Sequence, residues 1–394
     1  MSDGIAVGGI PAERYQERLA RAREVADAAG LDALLVGCGP ELRYLAGYAA
    51  LPLERLTLLV VPAASGAPIT LIAPRLEATP ARSCPAAAGG LVEVATWEET
   101  EDPMALVAAR LEAALGRPAV RVGQVAVSDG MRAAFVLGLQ RVLPNARFTL
   151  ASAVLRTLRM RKDDDEIALL RQAAEAADRV VLAVAHGPLV GRTEADVARE
   201  VRERLVAEGH DQAEFSIVAS GPNSASPHHD PGERVIEAGE PIVIDIGGTV
   251  GGYASDITRT VWVTGGDPAF GPDREFLTLY AVLQHAQAAA TASVRPRIAC
   301  ERIDQVARAI IDDAGYGPQF MHRTGHGIGL EGHEDPYIVA GSREPLAEGM
   351  AFSVEPGIYL EGRYGARIED IMVCGDDGPV VLNRVPRDLL VVDG

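Results

Sequence analysis

The sequence predicts an α+β domain over residues 159–394, preceded by a smaller α/β domain over residues 1–158. Three observations predict it. Strand-like and helix-like segments alternate through the first part of this 394-residue chain, as layered α/β folds require. Beyond residue 158 the helices and the antiparallel hairpins segregate instead. All eight histidines also lie in the second part, beyond residue 185.

The elements follow in order. Pro11 to Gly30 has helical apolar spacing and stops at a glycine. "DALLVG", "LTLLVVP", "PITLIAP", "GLVEVATW" and "VRVGQVAVS" read as strands. "DPMALVAARLEAALG" reads as a helix with Asp102 at its N-cap and Pro103 at its first position. "DGMRAAFVLGLQRVL" reads as another. "ELRYLAGY", Glu41 to Tyr48, is either ordinary packing or a wall of a pocket. The run Arg156 to Gly187 opens with charge and continues as a long helix, with Asp163 to Glu166 at its positive end. Hairpins, two further helices, a glycine-histidine loop and a last set of strands complete the chain.

Composition excludes several classes. A net charge of -18 repels phosphate backbones and anionic lipid, so neither nucleic acid nor membrane is an expected partner. No apolar run approaches the roughly 18 residues of a membrane span. The first ten residues carry no leader pattern, so no secretory signal is expected. Cys38, Cys84, Cys300 and Cys374 form no CxxC pair, which suits a reducing cytoplasm.

Two pairs of acids sit inside apolar strands. In "PIVIDIGGTVGGYASDITRTVWV" a turn at Val250-Gly251 sets Asp245 opposite Asp256. Like charges about 4.5–5.5 Å apart destabilise a sheet, unless one is protonated or a cation lies between them. "AFSVEPGIYLEGRYGARIEDIMV" repeats the device, with Glu355 and Glu369 equidistant from Gly362. Between the hairpins, "MHRTGHGIGLEGHEDP" offers His326 between two glycines that permit close approach. One imidazole and four carboxylates suit two divalent cations, Mn²⁺ first, with Co²⁺, Fe²⁺ or Zn²⁺ as alternatives. Such a pair acidifies a shared water. Gly327, Gly329 and Gly332 spell GxGxxG, but without the strand-then-helix context of a dinucleotide site.

These motifs resemble those of the pita-bread metallopeptidases: methionine aminopeptidase, aminopeptidase P, prolidase and creatinase. The resemblance implies a pita-bread catalytic domain behind a creatinase/prolidase-type N-terminal domain. Its metal ligands would be Asp245, Asp256, His326, Glu355 and Glu369. His322, Arg367, His228 and His333 match the Xaa-Pro-cleaving branch, with spacing favouring His228 over His229. The complete ligand set speaks against creatinase.

The resemblance therefore implies hydrolysis between an N-terminal residue and a following proline, with a lean to dipeptides over longer peptides, and a homodimer. Glu355 would act as general base and then acid, His333 would steady the oxyanion, and His228 and His322 would line the substrate side. Arg367 would orient Glu369 or touch substrate. The rivals are a hydrolase of a non-peptide C–N bond and a binding protein without catalysis.

Overall fold

The computed structural model describes residues 9–394. Residues 1–8, part of the stretch in which no leader is expected, lie outside the described residues. The chain divides between Arg159 and Met160 into two units.

The first unit is built on β1 (Ala33–Gly37), β2 (Leu58–Pro62), β3 (Thr70–Pro74), β4 (Glu93–Trp97), β5 (Gln124–Val127) and β6 (Arg147–Leu150), in the order β4-β3-β2-β1-β5-β6. The sheet is mixed, because β2 runs antiparallel to both β1 and β3. Every residue of β1, β2 and β3 is buried, which explains their nearly continuous apolar runs, broken only by Thr70 at the start of β3. β6 escapes a reading by pattern because it is a half-exposed edge strand, "RFTL", with no apolar run. Asp102 caps its helix by accepting from the Met104 N–H at 2.9 Å. Of the stretch Glu41 to Tyr48, residues 41–46 lie in a short helix, Pro40–Ala46, whose Leu42, Tyr44 and Leu45 are buried, and Gly47 ends it with φ of 68°.

The second unit opens with helices Asp164–Ala185 and Glu194–Ala207. Asp163 and Glu166 form a reciprocal capping box at the first of these. One sheet comprises β7 (Gln212–Ser220), β8 (Glu240–Val250), β9 (Tyr253–Ala254) and β10 (Ile257–Val263). A second comprises β11 (Gly325–Gly327), β12 (Glu334–Ile338), β13 (Ala351–Val354), with β14 (Gly357–Leu360) and β15 (Tyr364–Arg367) as a separate hairpin, then β16 (Asp370–Gly375) and β17 (Gly378–Val381). The last strand, β18 (Leu390–Val392), joins the first sheet beside β10, in parallel.

Alternation along the strands decides what faces where. Ile242, Ile244 and Ile246 of β8 enter a core with Val180, Val184 and Val201 of the two opening helices. Each buried isoleucine contributes about 1.5–3 kcal/mol. Asp245 therefore takes the opposite face. Phe352, Val354, Ala366, Ile368 and Met372 likewise pack with Phe276, Leu283 and Ile303 of helices Arg274–Ser293 and Cys300–Asp313. The intervening positions, Ser353, Glu355, Arg367 and Glu369, are left for the other face. A slip by one residue would turn the apolar set into the acid face.

Candidate active site

The first hairpin differs from the sequence expectation. Its turn is Gly251–Gly252, with φ of 57° and 83°, the positive pair that a type I′ turn demands. Asp245 consequently faces Thr258, not Asp256. Asp256 lies in a break between β9 and β10. The register differs by an even number, so Asp256 keeps the face of Asp245. Gly247 makes the break possible: a Cβ there would lie 2.4 Å from the Ser255 carbonyl oxygen and from a Phe215 ring carbon.

In the second hairpin Glu355 and Glu369 do oppose one another. The β13–β16 ladder ends at Val354 and Asp370, and the β14–β15 ladder resumes at Gly357 and Arg367 in the same register. The glutamates occupy the interruption between the two. Thr258 Oγ1 donates to Glu369 Oε2 at 2.8 Å, tying the hairpins together. Ser353 Oγ donates to Glu355 Oε1 at 3.1 Å.

His326 lies beside both pairs. Its Nδ1 meets the Gly327 carbonyl at 3.1 Å, and a carbonyl only accepts, so Nδ1 carries the proton. In the neutral ring Nε2 then offers a lone pair. That nitrogen lies 3.2 Å from Glu355 Oε1 and 3.7 Å from Asp256 Oδ2. Ligand atoms of Asp245, Asp256 and Glu369 lie within 4.8 Å of one another, as do those of His326, Glu355 and Glu369. A third such group joins Asp256, His326 and His333, so Glu369, Asp256 and His326 each belong to two groups and Asp245 to one. Asp245 Oδ1 and Glu369 Oε1 are buried without a hydrogen-bond partner.

The electrostatics agree with that geometry. Burial, then repulsion from Glu369, Asp245 and Glu355, pushes Asp256 well above the ordinary carboxyl value. Burial, then Glu355 and Asp245, does the same to Glu369. Glu355 behaves oppositely. Burial would raise it; with His326 protonated and donating, that ring, then His322 and the Arg367 charge, bring it down to about 2, and the neutral ring with its lone pair turned inward removes the largest of these contributions. The acids cannot all ionise together without added positive charge. Orphaned oxygens, clustered acids and an inward imidazole lone pair fit a site for divalent cations.

A hydrogen-bonded chain leaves this centre. Arg367 Nη2 donates to Asp245 Oδ2 at 2.6 Å, and its Nε donates to Thr258 Oγ1 at 3.1 Å. Arg367 Nη1 donates to the Tyr359 hydroxyl at 2.8 Å, which lies 2.9 Å from His322 Nε2. His322 Nδ1 meets the Arg323 carbonyl at 2.7 Å. The ring therefore donates to the carbonyl and accepts from Tyr359. Burial lowers the His322 pKa and raises that of Tyr359 to about 12. His322 thus has both nitrogens engaged within the protein. Arg367 grips Asp245 and reaches Glu369 only through Thr258.

One cavity of about 330 Å³ is lined by all nine residues singled out in the sequence: Asp245, Asp256, His326, Glu355, Glu369, His228, His322, His333 and Arg367. His229 is directed elsewhere, onto Glu194 at 2.7 Å. The His333 ring lies 3.8 Å from that of His326; burial and then that neighbour lower its pKa to about 4. Phe215, Ile217 and Pro227 supply an apolar wall, and Arg323 a cation, stacked over Tyr337 at 4.6 Å. Sequence reasoning missed Tyr359, Thr258, Ser353 and Arg323. Their signal was proximity in sequence: each lies within four residues of a singled-out residue, inside the quoted motifs.

The chain is similar to known proteins along nearly its whole length. Residues 168–376 match the family described as metallopeptidase family M24, and residues 18–161 match the creatinase/prolidase N-terminal domain. A probable dipeptidase PepE of Mycobacterium tuberculosis is 47% identical over 385 residues, 97% of each chain. A crystal structure of dipeptidase PepE from Mycobacterium ulcerans superposes with a TM-score of 0.89 at 44% identity, covering 98% of this chain and 99% of that one. A prolidase from Thermococcus sibiricus gives 0.85 at 34% identity, covering 98% and 100%.

Proposed function

Because the chain belongs to metallopeptidase family M24 and carries the creatinase/prolidase N-terminal domain, we propose that it cleaves Xaa-Pro dipeptides at the bond preceding proline. The observation that carries this reading is the convergence of five ligand-type side chains, an apolar wall and an arginine stacked on Tyr337 on one small cavity. Its volume lies at the lower end of ligand pockets, about 300–1,000 Å³, which suits a dipeptide better than a longer chain.

Asp245, Asp256, His326, Glu355 and Glu369 would hold two divalent cations, Mn²⁺ the first candidate. When bound, the ions polarise the scissile carbonyl and acidify water. Glu355 takes the proton of the attacking water and delivers it to the departing proline nitrogen, a tertiary amide nitrogen with no hydrogen of its own. His333 and His228 donate to the carbonyl oxygen as charge develops there. Phe215, Ile217 and Pro227 receive the pyrrolidine ring. Arg323, which pairs with no carboxylate of the described residues, receives the substrate carboxylate. His322, Tyr359 and Arg367 hold Asp245 and the cavity wall in place. The four cysteines are free thiols, in keeping with a reducing cytoplasm, and the working assembly is a homodimer. No helix among the described residues is long and apolar enough to cross a membrane.

The test is turnover of Xaa-Pro against Xaa-Pro-Yaa with added Mn²⁺, in the wild type and in Arg323→Ala. The wild type is expected to prefer the dipeptide. Loss of the carboxylate contact, worth about 1.5–3 kcal/mol, raises KM for the dipeptide and erases the preference. Bound metal without turnover of either peptide would favour a non-peptide C–N substrate instead.

A further inference from the structure

His228 stands on the connection between β7 and β8, a segment outside the sheet ladders around it. It is exposed, yet it lines the cavity. Something other than strand pairing must hold it there, because an exposed side chain on a connection without ladder hydrogen bonds keeps its orientation only if neighbouring contacts fix the backbone.

One carboxylate supplies the hold. Glu194 opens the helix Glu194–Ala207 and its side chain is fully buried. Its Oε1 accepts from the Ser220 N–H at 2.7 Å, the Ser220 hydroxyl at 2.8 Å and Asn223 Nδ2 at 3.1 Å. Its Oε2 accepts from His229 Nε2 at 2.7 Å. The Gly232 N–H also points at Oε2, at 3.5 Å. These partners bracket His228 on both sides. Burial alone would raise the Glu194 carboxyl, but the donors from Ser220, His229 and Asn223 outweigh it and hold it below its ordinary value. A fully satisfied buried carboxylate of this kind is a rigid anchor.

We infer that Glu194 and His229 are positioning residues for His228: the carboxylate draws His229 inward and thereby leaves the adjacent imidazole facing the substrate cavity. Neither residue touches substrate. The inference takes its kinetic readout from the Xaa-Pro reading above.

The experiment uses the full chain loaded with Mn²⁺ and four variants: His228→Ala, His229→Leu, His229→Gln and the double variant His228→Ala/His229→Leu. A misplacement of about 1 Å can cost up to 10²-fold, so His229→Leu is expected to lose about 10- to 100-fold in kcat/KM with its metal content unchanged. His229→Gln, whose amide nitrogen replaces the Nε2 donor, recovers most of the loss. The double variant falls no further than His228→Ala, because the second residue acts only through the first. Full turnover by His229→Leu, or losses that multiply in the double variant, would overturn the inference. Amide exchange over residues 220–232 gives a readout independent of activity: faster in His229→Leu and restored in His229→Gln if the clasp exists, unchanged in both if it does not. A wild type that turns over no Xaa-Pro peptide removes the functional reading, and the exchange result then decides the inference alone.

Discussion

The hairpin that carries Asp245 and Asp256 delivers its acids from offset positions, while the one that carries Glu355 and Glu369 delivers them from opposed ones. In the first, the glycine turn sets Thr258 across from Asp245, and Asp256 falls where the ladder is broken. In the second, two ladders share one register and the glutamates sit in the interruption between them. Both arrangements bring like charges to one cavity. What they share is the face of the pleat, fixed by the isoleucines of one sheet and by Phe352, Val354 and Ile368 of the other. Convergence therefore depends on period-two alternation against a helical core, and tolerates a shift of register by two. It would not tolerate a shift by one.

The largest effect should come from Glu369, the carboxylate that links the two hairpins and, like Asp256 and His326, belongs to two of the three ligand groups. Glu369→Ala is expected to abolish Xaa-Pro turnover and to strip more divalent metal than Asp245→Ala, because Glu369 joins two of the three groups and Asp245 only one. Elemental analysis of Mn²⁺-loaded protein checks this. Equal metal retention by the two variants would break the comparison, since the hairpins would then not share a carboxylate. Next comes Glu355→Gln, which keeps the size and the acceptor for Ser353 but removes the proton carrier and one anionic cation ligand, so turnover is compared at equal measured metal content. The expected loss is about 10²–10⁴-fold in kcat, with little change in KM. A loss confined to KM would move Glu355 from proton transfer to binding.

Much of this was legible in the sequence, for physical reasons that also mark where legibility stopped. Acids inside runs of Val, Ile and Phe are conspicuous because burial of charge is costly. The Glu355–Glu369 register was readable because Gly362 is the lone glycine at its turn. The Asp245 register was not, since "VGGY" offers two adjacent glycines and either can begin a turn. β6 was invisible because an edge strand needs no apolar run. Tyr359 was invisible because an isolated tyrosine in a strand reads as core. Only the fold shows that its hydroxyl joins Arg367 to His322.

That tyrosine gives the next prediction. Tyr359→Phe keeps the ring and the packing but cuts the chain from Asp245 through Arg367 to His322. Removal of such outer partners costs about 10- to 100-fold in affinity or activity. The expected result is a fall of that size in kcat/KM with a nearly unchanged melting temperature. Adding His322→Gln to Tyr359→Phe should cost little more, because both changes interrupt one path. Independent, multiplying losses would mean that His322 meets the substrate itself.

The smallest effect separates the two turns. Gly251 and Gly362 both hold positive φ, 57° and 74°, where an L side chain costs roughly 1–2 kcal/mol. Their surroundings differ. A Cβ at Gly362 meets nothing within 4 Å, whereas one at Gly251 would lie 3.0 Å from Leu169 Cδ2. Gly362→Ala should therefore lower the melting temperature by about 2–4 °C per kcal/mol lost, and Gly251→Ala by more, because Leu169 must move as well. Gly362→Asn should recover part of the loss, since asparagine enters this region at lower cost. If the two alanine variants melt alike, Leu169 yields freely and the first turn is no more constrained than the second. If Gly251→Ala also loses metal, the turn sets the position of Asp256 as well as the stability of the sheet.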